Sequence, residues 1–270
     1  STQQETLFPY TTLFRSAGSD SGGGAGIQAD LKTMTSFKTY GASVITAVTA
    51  QNTLGVQGVK VLSKNVVARQ LDSVLTDLDF SAAKTGMLAN KEIIKVVAEK
   101  VKEYSLDNLV VDPVMVATSG DVLLEEAAIE TLAKELIPLA RVITPNLEEA
   151  KVLAGYEVEA AVDLKELAKE LYDLGAETVL VKGGHSKDSQ SLDLFYDGDE
   201  YTELTAPKIE TDNTHGTGCT LSSAIASNLA LGYELLPALK RSKEFITQAI
   251  KEGVTVGSGN NPVNHLADIE

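Results

Sequence analysis

The chain has 270 residues, 43% of them hydrophobic, with 38 acidic against 23 basic side chains, a formal charge of −15 and a single cysteine. Length and apolar fraction support one large core, while the acidity argues against nucleic acid or an anionic membrane surface as a partner. One cysteine excludes an intramolecular disulfide framework and a zinc site built on several thiolates, and fits a reducing, cytoplasmic setting. No stretch approaches the roughly 18 consecutive apolar residues of a membrane-spanning helix, and no basic-then-apolar leader pattern opens the sequence. Anionic substrates must then be captured by local devices: a helix end, a lysine or a metal ion.

In chain order, the first distinctive segment is Ala17–Gly26, rich in glycine, which follows a possible strand and precedes a helix containing Ile27, Leu31 and Met34. It fails G-x-G-x-x-G because Ile27 stands where the third glycine is needed, and no G-K-[ST] follows for a Walker A loop. It reads either as backbone lying close to a ligand or as a flexible connection. Apolar runs at Ser43–Ala50, Leu109–Asp112, Arg141–Thr144 and Thr178–Lys182 predict strands. Amphipathic segments at Lys64–Asp77, Lys91–Tyr104, Glu126–Leu136 and Asp163–Leu174 predict helices. In the last of these, Leu164, Leu167, Ala168, Leu171 and Leu174 form a buried stripe, Asp163 with Glu166 forms a capping box, and Gly175 supplies the stop. Ser191–Tyr196 and Glu200–Ala206, joined through Asp197-Gly198-Asp199, predict a hairpin. The alternation of strand and helix predicts an α/β fold with a mostly parallel sheet.

Several chemically suggestive residues fall at the C-terminal ends of predicted strands, where open α/β sheets place their ligand crevice. Asp112 ends Leu109-Val110-Val111, and its carboxylate suits magnesium or an ordinary loop. Asn146 and Glu149 have the N-x-x-E spacing of a capping box, and the same pair suits phosphate and the water shell of magnesium. Lys182 ends an apolar run and precedes Gly183-Gly184, so a buried strand would aim its ammonium at the crevice. His215-Gly216-Thr217-Gly218-Cys219-Thr220 opens into a helix carrying Leu221, Ala224, Ile225 and Leu229 on one face, ended by Gly232. Free amides and the positive end of the helix dipole there favour an anion, and Gly216 and Gly218 allow close approach. His185, His215 and His265 show no metal-ligand spacing and read as hydrogen-bonding or surface residues. No G-x-S-x-G, H-E-x-x-H or C-x-x-C pattern occurs.

Taken together, Ala17–Asp30, Val48-Thr49-Ala50-Gln51-Asn52, Thr85-Gly86-Met87-Leu88, Asp112-Pro113-Val114-Met115, Thr144–Ala150, Lys182-Gly183-Gly184-His185 and Asn213–Thr220 resemble, in order, the motifs of the bifunctional hydroxymethylpyrimidine and phosphomethylpyrimidine kinases of thiamine biosynthesis. These are a branch of the ribokinase-like superfamily. The resemblance implies a three-layer α/β/α sandwich around a mostly parallel sheet, use of ATP and Mg2+, a small pyrimidine as partner, and a homodimer. It implies that Gln51 bonds the aminopyrimidine, with Asp30, Gly18, Met87 and Val114 lining its pocket. It implies nucleotide contacts from Asn146, Lys182 and Thr217, a magnesium shell served by Asp112 and Glu149, and an anion hole from Gly216 to Cys219. Cys219 stands where most of the superfamily has an aspartate base, a mark of this branch and of related pyridoxal kinases.

The resemblance begins near Ala17. Residues 1–16 depart from it: an apolar strand is expected before the first glycines, yet Leu7–Ser16 places Arg15 at a position that should be buried. The sequence divides accordingly into an atypical segment, 1–16, and one kinase domain, 17–270. Pyridoxal kinase is the neighbouring alternative; a non-catalytic vitamin-binding protein would be expected to have lost phosphate apparatus that this chain retains, and a cysteine hydrolase lacks a histidine placed to activate Cys219.

Overall fold

Strand alternation divides the interior in two. In the computed structural model, which describes residues 11–115, 124, 126–185 and 190–268, neighbouring residues of each central strand feed opposite cores. Leu13, Val110, Val142 and Leu180 join one, and Phe14, Val111, Ile143 and Val181 the other. Side chains that alternate across a strand buried on both faces require helices above and below, and that requirement sets the three layers.

The strands are β1 (Thr12–Ser19), β2 (Tyr40–Asn52), β3 (Gly55–Val61), β4 (Ala82–Thr85), β5 (Leu109–Val111), β6 (Val142–Ile143), β7 (Val179–His185), β8 (Gln190–Tyr196) and β9 (Tyr201–Pro207). They form one sheet in the order β3-β2-β1-β4-β5-β6-β7-β8-β9. Pairing from β2 through β7 is parallel, while β3 at one edge and the β8–β9 hairpin at the other are antiparallel. The helices are α1 (Gly26–Ser36), α2 (Lys64–Leu75), α3 (Lys91–Glu103), α4 (Glu126–Thr131), α5 (Leu147–Leu153), α6 (Leu164–Tyr172), α7 (Thr217–Ala230) and α8 (Leu235–Lys251). One layer holds α1, α7 and α8; the other holds α2, α3 and the helices from α4 to α6. This is the ribokinase-like α/β architecture.

Two expectations change. The helix expected over Glu126–Leu136 stops at Thr131, widens to a π-turn over Leu132–Leu136 and tightens to a 3-10 turn over Ile137–Leu139. Pro138 is the cause: its ring crowds the carbonyl four residues back and it has no N–H to continue the ladder. The N-terminal segment is also more regular than expected. Leu7–Tyr10 lie outside the described residues, but Thr12–Ser16 belong to β1, which crosses the division at residue 17 without a break. There it pairs with β2 on one side and β4 on the other. Arg15 is wholly buried in the middle of it.

Strand order turns outward on either side of β1 and β4. The C-terminal ends of the parallel strands β1, β5, β6 and β7 therefore lie at the same end of the sheet, and α7 begins above them, at the switch point where such sheets bind ligands.

Candidate active site

The turn into α7 is built by close backbone approach. Gly216 caps the helix at φ +79°, and a Cβ there would lie 1.8 Å from the carbonyl oxygen of Gly24. Only glycine fits both demands, so the anion-hole loop and the glycine-rich loop after β1 lie backbone against backbone. Thr217, the first residue of α7, gives its amide to the Thr214 carbonyl at 3.2 Å, and the next two amides, of Gly218 and Cys219, have no acceptor within the helix. Cys219 is a free, half-buried thiol.

Below this turn lies a charged cluster. Lys182 Nζ donates to Asp112 Oδ1 at 3.0 Å, and Ser222 from α7 donates to Oδ2 at 3.1 Å. A Cβ on Gly218 would lie 3.2 Å from Lys182 Nζ, which puts the ammonium directly under the start of α7. Asn146 and Glu149 form a reciprocal cap on α5: Asn146 Oδ1 accepts the Glu149 amide at 2.8 Å, and Glu149 Oε2 accepts the Asn146 amide at 2.8 Å. Burial works against the Asp112 charge, but the ammonium groups of Lys182 and Lys84 outweigh it and hold the carboxyl below its ordinary range. Burial pushes Glu149 up to about 7, reinforced by the Asp112 carboxylate. Burial also opposes the Lys182 charge, yet Asp112 and Glu149 hold the ammonium above the ordinary lysine range. The capping reading of Asn146 and Glu149 is met, and the same pair lines a cavity.

On the other side of the pocket, Asp20 organises the glycine-rich loop. Its Oδ1 accepts the Gly22 amide, and Oδ2 accepts those of Gly24 and Ala25 and meets His215 Nε2 at 2.9 Å. Burial would raise the Asp20 carboxyl, but His215 and these amides hold it below its ordinary range. His215 is therefore a hydrogen-bonding residue, as its sequence context suggests, and it ties the loop after β1 to the loop before α7. Gln51 reaches the same cavity from the end of β2. Its backbone is clamped by Ser21, whose Oγ bonds both the Gln51 amide and carbonyl at 2.8 Å. Gly18 leaves room for Met87, whose Cε would lie 2.8 Å from any Cβ at that position.

One cavity gathers Gly18, Gln51, Met87, Asp112, Val114, Asn146, Glu149, Lys182, Gly216, Thr217, Gly218 and Cys219 around its walls. Asp30 is the exception. It is wholly buried under the cavity, where Lys84 Nζ lies 3.0 Å from Oδ1, Arg15 lies 2.9 Å from Oδ2 and Ser223 donates to Oδ1 at 2.6 Å. Its place as a pocket-lining residue is thus corrected: α1 turns it toward α7, where two buried cations hold it. Sequence reasoning passed over Lys84, Asp20 and Thr49. A lysine between Ala83 and Thr85 in a short apolar strand was the available signal for Lys84. The contacts of Asp20 and Thr49 arise only when loops meet.

Beside the cavity, and sharing Asn146, Lys182, Thr217 and Gly218 with it, a longer groove runs between the β8–β9 hairpin and α8. Pro207, Ile209, Leu221, Ile246 and Ile250 give it an apolar floor. Lys243 bonds Asp193 Oδ2 at 2.7 Å and Asp193 Oδ1 accepts the Gly183 amide, which fixes the turn after Lys182 against α8. The arrangement offers a small polar-apolar cavity, a helix start with a lysine beneath it, and an adjoining groove with an apolar floor.

Sequence comparison agrees with this layout: a family model described as phosphomethylpyrimidine kinase matches residues 20–264. The chain belongs to the phosphomethylpyrimidine kinase family. It is 50% identical over 255 residues to the hydroxymethylpyrimidine/phosphomethylpyrimidine kinase of Rhizobium meliloti, covering 93% of this chain and 95% of that one. It is 47% identical over 263 residues, 97% of its own length, to the thiamine biosynthesis bifunctional protein ThiED of Geobacter sulfurreducens, but spans only 54% of that longer protein. Among solved structures, the pyridoxal kinase from Staphylococcus aureus in complex with AMP-PCP and pyridoxal superposes with a TM-score of 0.87 at 36% identity, covering 95% and 93% of the two chains. This phosphomethylpyrimidine kinase family member thus has its family's motifs gathered around one cavity, with Asp30 set beneath it.

Proposed function

We propose that the protein transfers the γ-phosphoryl group of ATP to the primary alcohol of 4-amino-5-hydroxymethyl-2-methylpyrimidine and then to the resulting monophosphate, in thiamine diphosphate biosynthesis. One observation carries this reading: a single cavity joins the Gln51 amide, suited to an aminopyrimidine edge, to an anion hole with Lys182 beneath it. The apolar groove between β9 and α8 suits the adenosine part of the nucleotide, and its end meets Asn146, Lys182 and Thr217, which contact the phosphates.

The chemistry follows from these positions. Gln51 bonds the pyrimidine edge, Met87 and Val114 pack on the ring, and Gly18 admits it. The alcohol then faces Cys219, whose sulfur accepts the hydroxyl proton as the oxygen bonds to the γ-phosphorus and the bond to the bridging oxygen of ADP breaks. A loose transition state needs positioning and charge neutralisation more than a strong base, so a thiolate suffices. The amides of Gly218 and Cys219 hold the equatorial oxygens, and Lys182 balances their charge. Asp112 and Glu149 fit magnesium through its water shell: both face the cavity, and the ion usually takes only one or two carboxylates beside phosphate oxygens and water. Bound there, the ion would neutralise phosphate charge.

Pyridoxal kinase is the second reading, favoured by the close superposition on the Staphylococcus aureus enzyme. ATP consumption with magnesium, using hydroxymethylpyrimidine, its monophosphate and pyridoxal as acceptors and following products by mass, tests both. Turnover of both pyrimidines supports the proposal, and preference for pyridoxal overturns it. Full turnover by C219S with an unchanged pH profile would remove Cys219 as the base. We also place the protein in the cytoplasm as a homodimer. No helix among the described residues is long and apolar enough to cross a membrane, and Tyr40, Val48, Leu54 and Val59 expose apolar surface on β2, β3 and their turn.

A further inference from the structure

Gln51 can read a ring edge only once its amide has a fixed orientation, and we infer that Thr49 is the residue that fixes it and thereby selects an amine-bearing ring. The inference rests on the proposed pyrimidine site and names the contact that gives it specificity.

Thr49 and Gln51 are two apart in β2 and share a face. The buried Thr49 Oγ1 lies 2.7 Å from the carbonyl oxygen of Ser19 and 3.1 Å from Gln51 Oε1. A hydroxyl has one hydrogen and two lone pairs. Ser19 O is the nearer partner and can only accept, so the hydrogen goes there. Thr49 Oγ1 then turns lone pairs toward Gln51, and an amide oxygen opposite them would put acceptor against acceptor. The two ends of an amide are equal in size, so it resolves the conflict by turning over. Nε2 then donates to Thr49, and Oε1 faces the cavity.

The backbone of Gln51 cannot shift to avoid this choice, because Ser21 holds both its amide and its carbonyl. The pocket therefore presents a fixed acceptor to its ligand. An exocyclic amine on the ring satisfies it. Pyridoxal offers a phenolic hydroxyl, an aldehyde, a hydroxymethyl group and a ring nitrogen but no exocyclic amine, and a site built to bond an amine discriminates against a ligand lacking one.

The test compares wild type, T49V and T49S with hydroxymethylpyrimidine and with pyridoxal, measuring kcat and KM separately and the Kd for hydroxymethylpyrimidine in the absence of nucleotide. Valine keeps the shape of threonine and frees the amide to rotate. T49V is expected to raise both KM and Kd for the pyrimidine by about tenfold, the worth of one hydrogen bond, with kcat changing by less than about threefold. Its ratio of kcat/KM for pyrimidine over pyridoxal falls by about tenfold, and T49S restores that ratio to within about threefold. A T49V protein that melts like wild type yet keeps the ratio overturns the inference, as does failure of T49S to restore it. Wild type that binds no hydroxymethylpyrimidine overturns the functional proposal and this inference together, whereas wild-type turnover with an indifferent T49V overturns this inference alone.

Discussion

Replacing Arg15 with methionine should make the protein more stable. Arg15 sits on β1 beside Lys84 on β4, in register, and both side chains converge on Asp30 with no solvent exposure. Asp30 is already matched by Lys84 at 3.0 Å and Ser223 at 2.6 Å, so the second cation leaves an excess positive charge in the core. Arg15 Nη1 comes within 2.9 Å of Asp30 Oδ2 but off the line of its N–H groups, and none of the guanidinium nitrogens makes a directed hydrogen bond. Burial pulls its pKa down to about 9, a cost on the order of 5 kcal/mol at about 1.4 kcal/mol for each pKa step. The attraction to Asp30 and relaxation of the site offset part of this, so R15M, which fills the space with a flexible apolar chain, should gain about 1–3 kcal/mol. For a chain of this size that raises Tm by roughly 2–10 °C, measured by calorimetry or circular dichroism near pH 7. The sign with pH follows. The native state gives up this proton at about 9, below the unfolded state, so the cost is complete at lower pH and is relieved as pH rises above 9. The gain from R15M should shrink accordingly between pH 8 and 10. A lower Tm for R15M at pH 7, or a gain independent of pH, would refute the claim that Asp30 is satisfied without Arg15.

Three further outcomes are expected. G216A must place a Cβ 1.8 Å from the Gly24 carbonyl at φ +79°, so its kcat should fall about a hundredfold or more while circular dichroism stays native. K182M removes the cation under the anion hole and leaves Asp112 buried without it; steady-state assays should show a loss of about 10²–10³ in turnover, and nucleotide titration a weaker Kd. His265 is held at about 4, first by burial and then by the nearby Lys32 charge, so it is neutral in the fold and takes a proton on unfolding. Stability linked to it is present above the unfolded value and lost as pH falls toward 4; H265Q should flatten the fall in Tm between pH 6.5 and 4, and an unchanged slope would exclude the linkage.

Local chemistry made much of this molecule legible before any tertiary contact was known. The 3.6-residue stripe of α6, with its Asp163 cap accepting from Lys165 and Glu166, and the turn of the β8–β9 hairpin lie where spacing and turn residues place them. The glycines and cysteine at the start of α7 were equally readable, because a helix start after glycine carries its own electrostatics. So was the Asn146–Glu149 cap, which needs only three residues of separation. The split of the helix after Thr131 was less visible, although Pro138 held the cause.

What the sequence determined by itself, then, is most of the elements, though not β3, β4 or α8, together with the strand ends that carry Asp112 and Lys182 and the glycine turn that opens α7, since each depends on residues within a turn or two of one another. Tertiary structure alone decided that Asp30 belongs to the core and not to the cavity, that Arg15 shares it with Lys84, that Asp20 reaches His215, and that Thr49 meets both Ser19 and Gln51. The physical reason is common to all four. Burial and hydrogen-bond partners are properties of the space between elements, and that space exists only when β1, β2, β4 and α7 have packed.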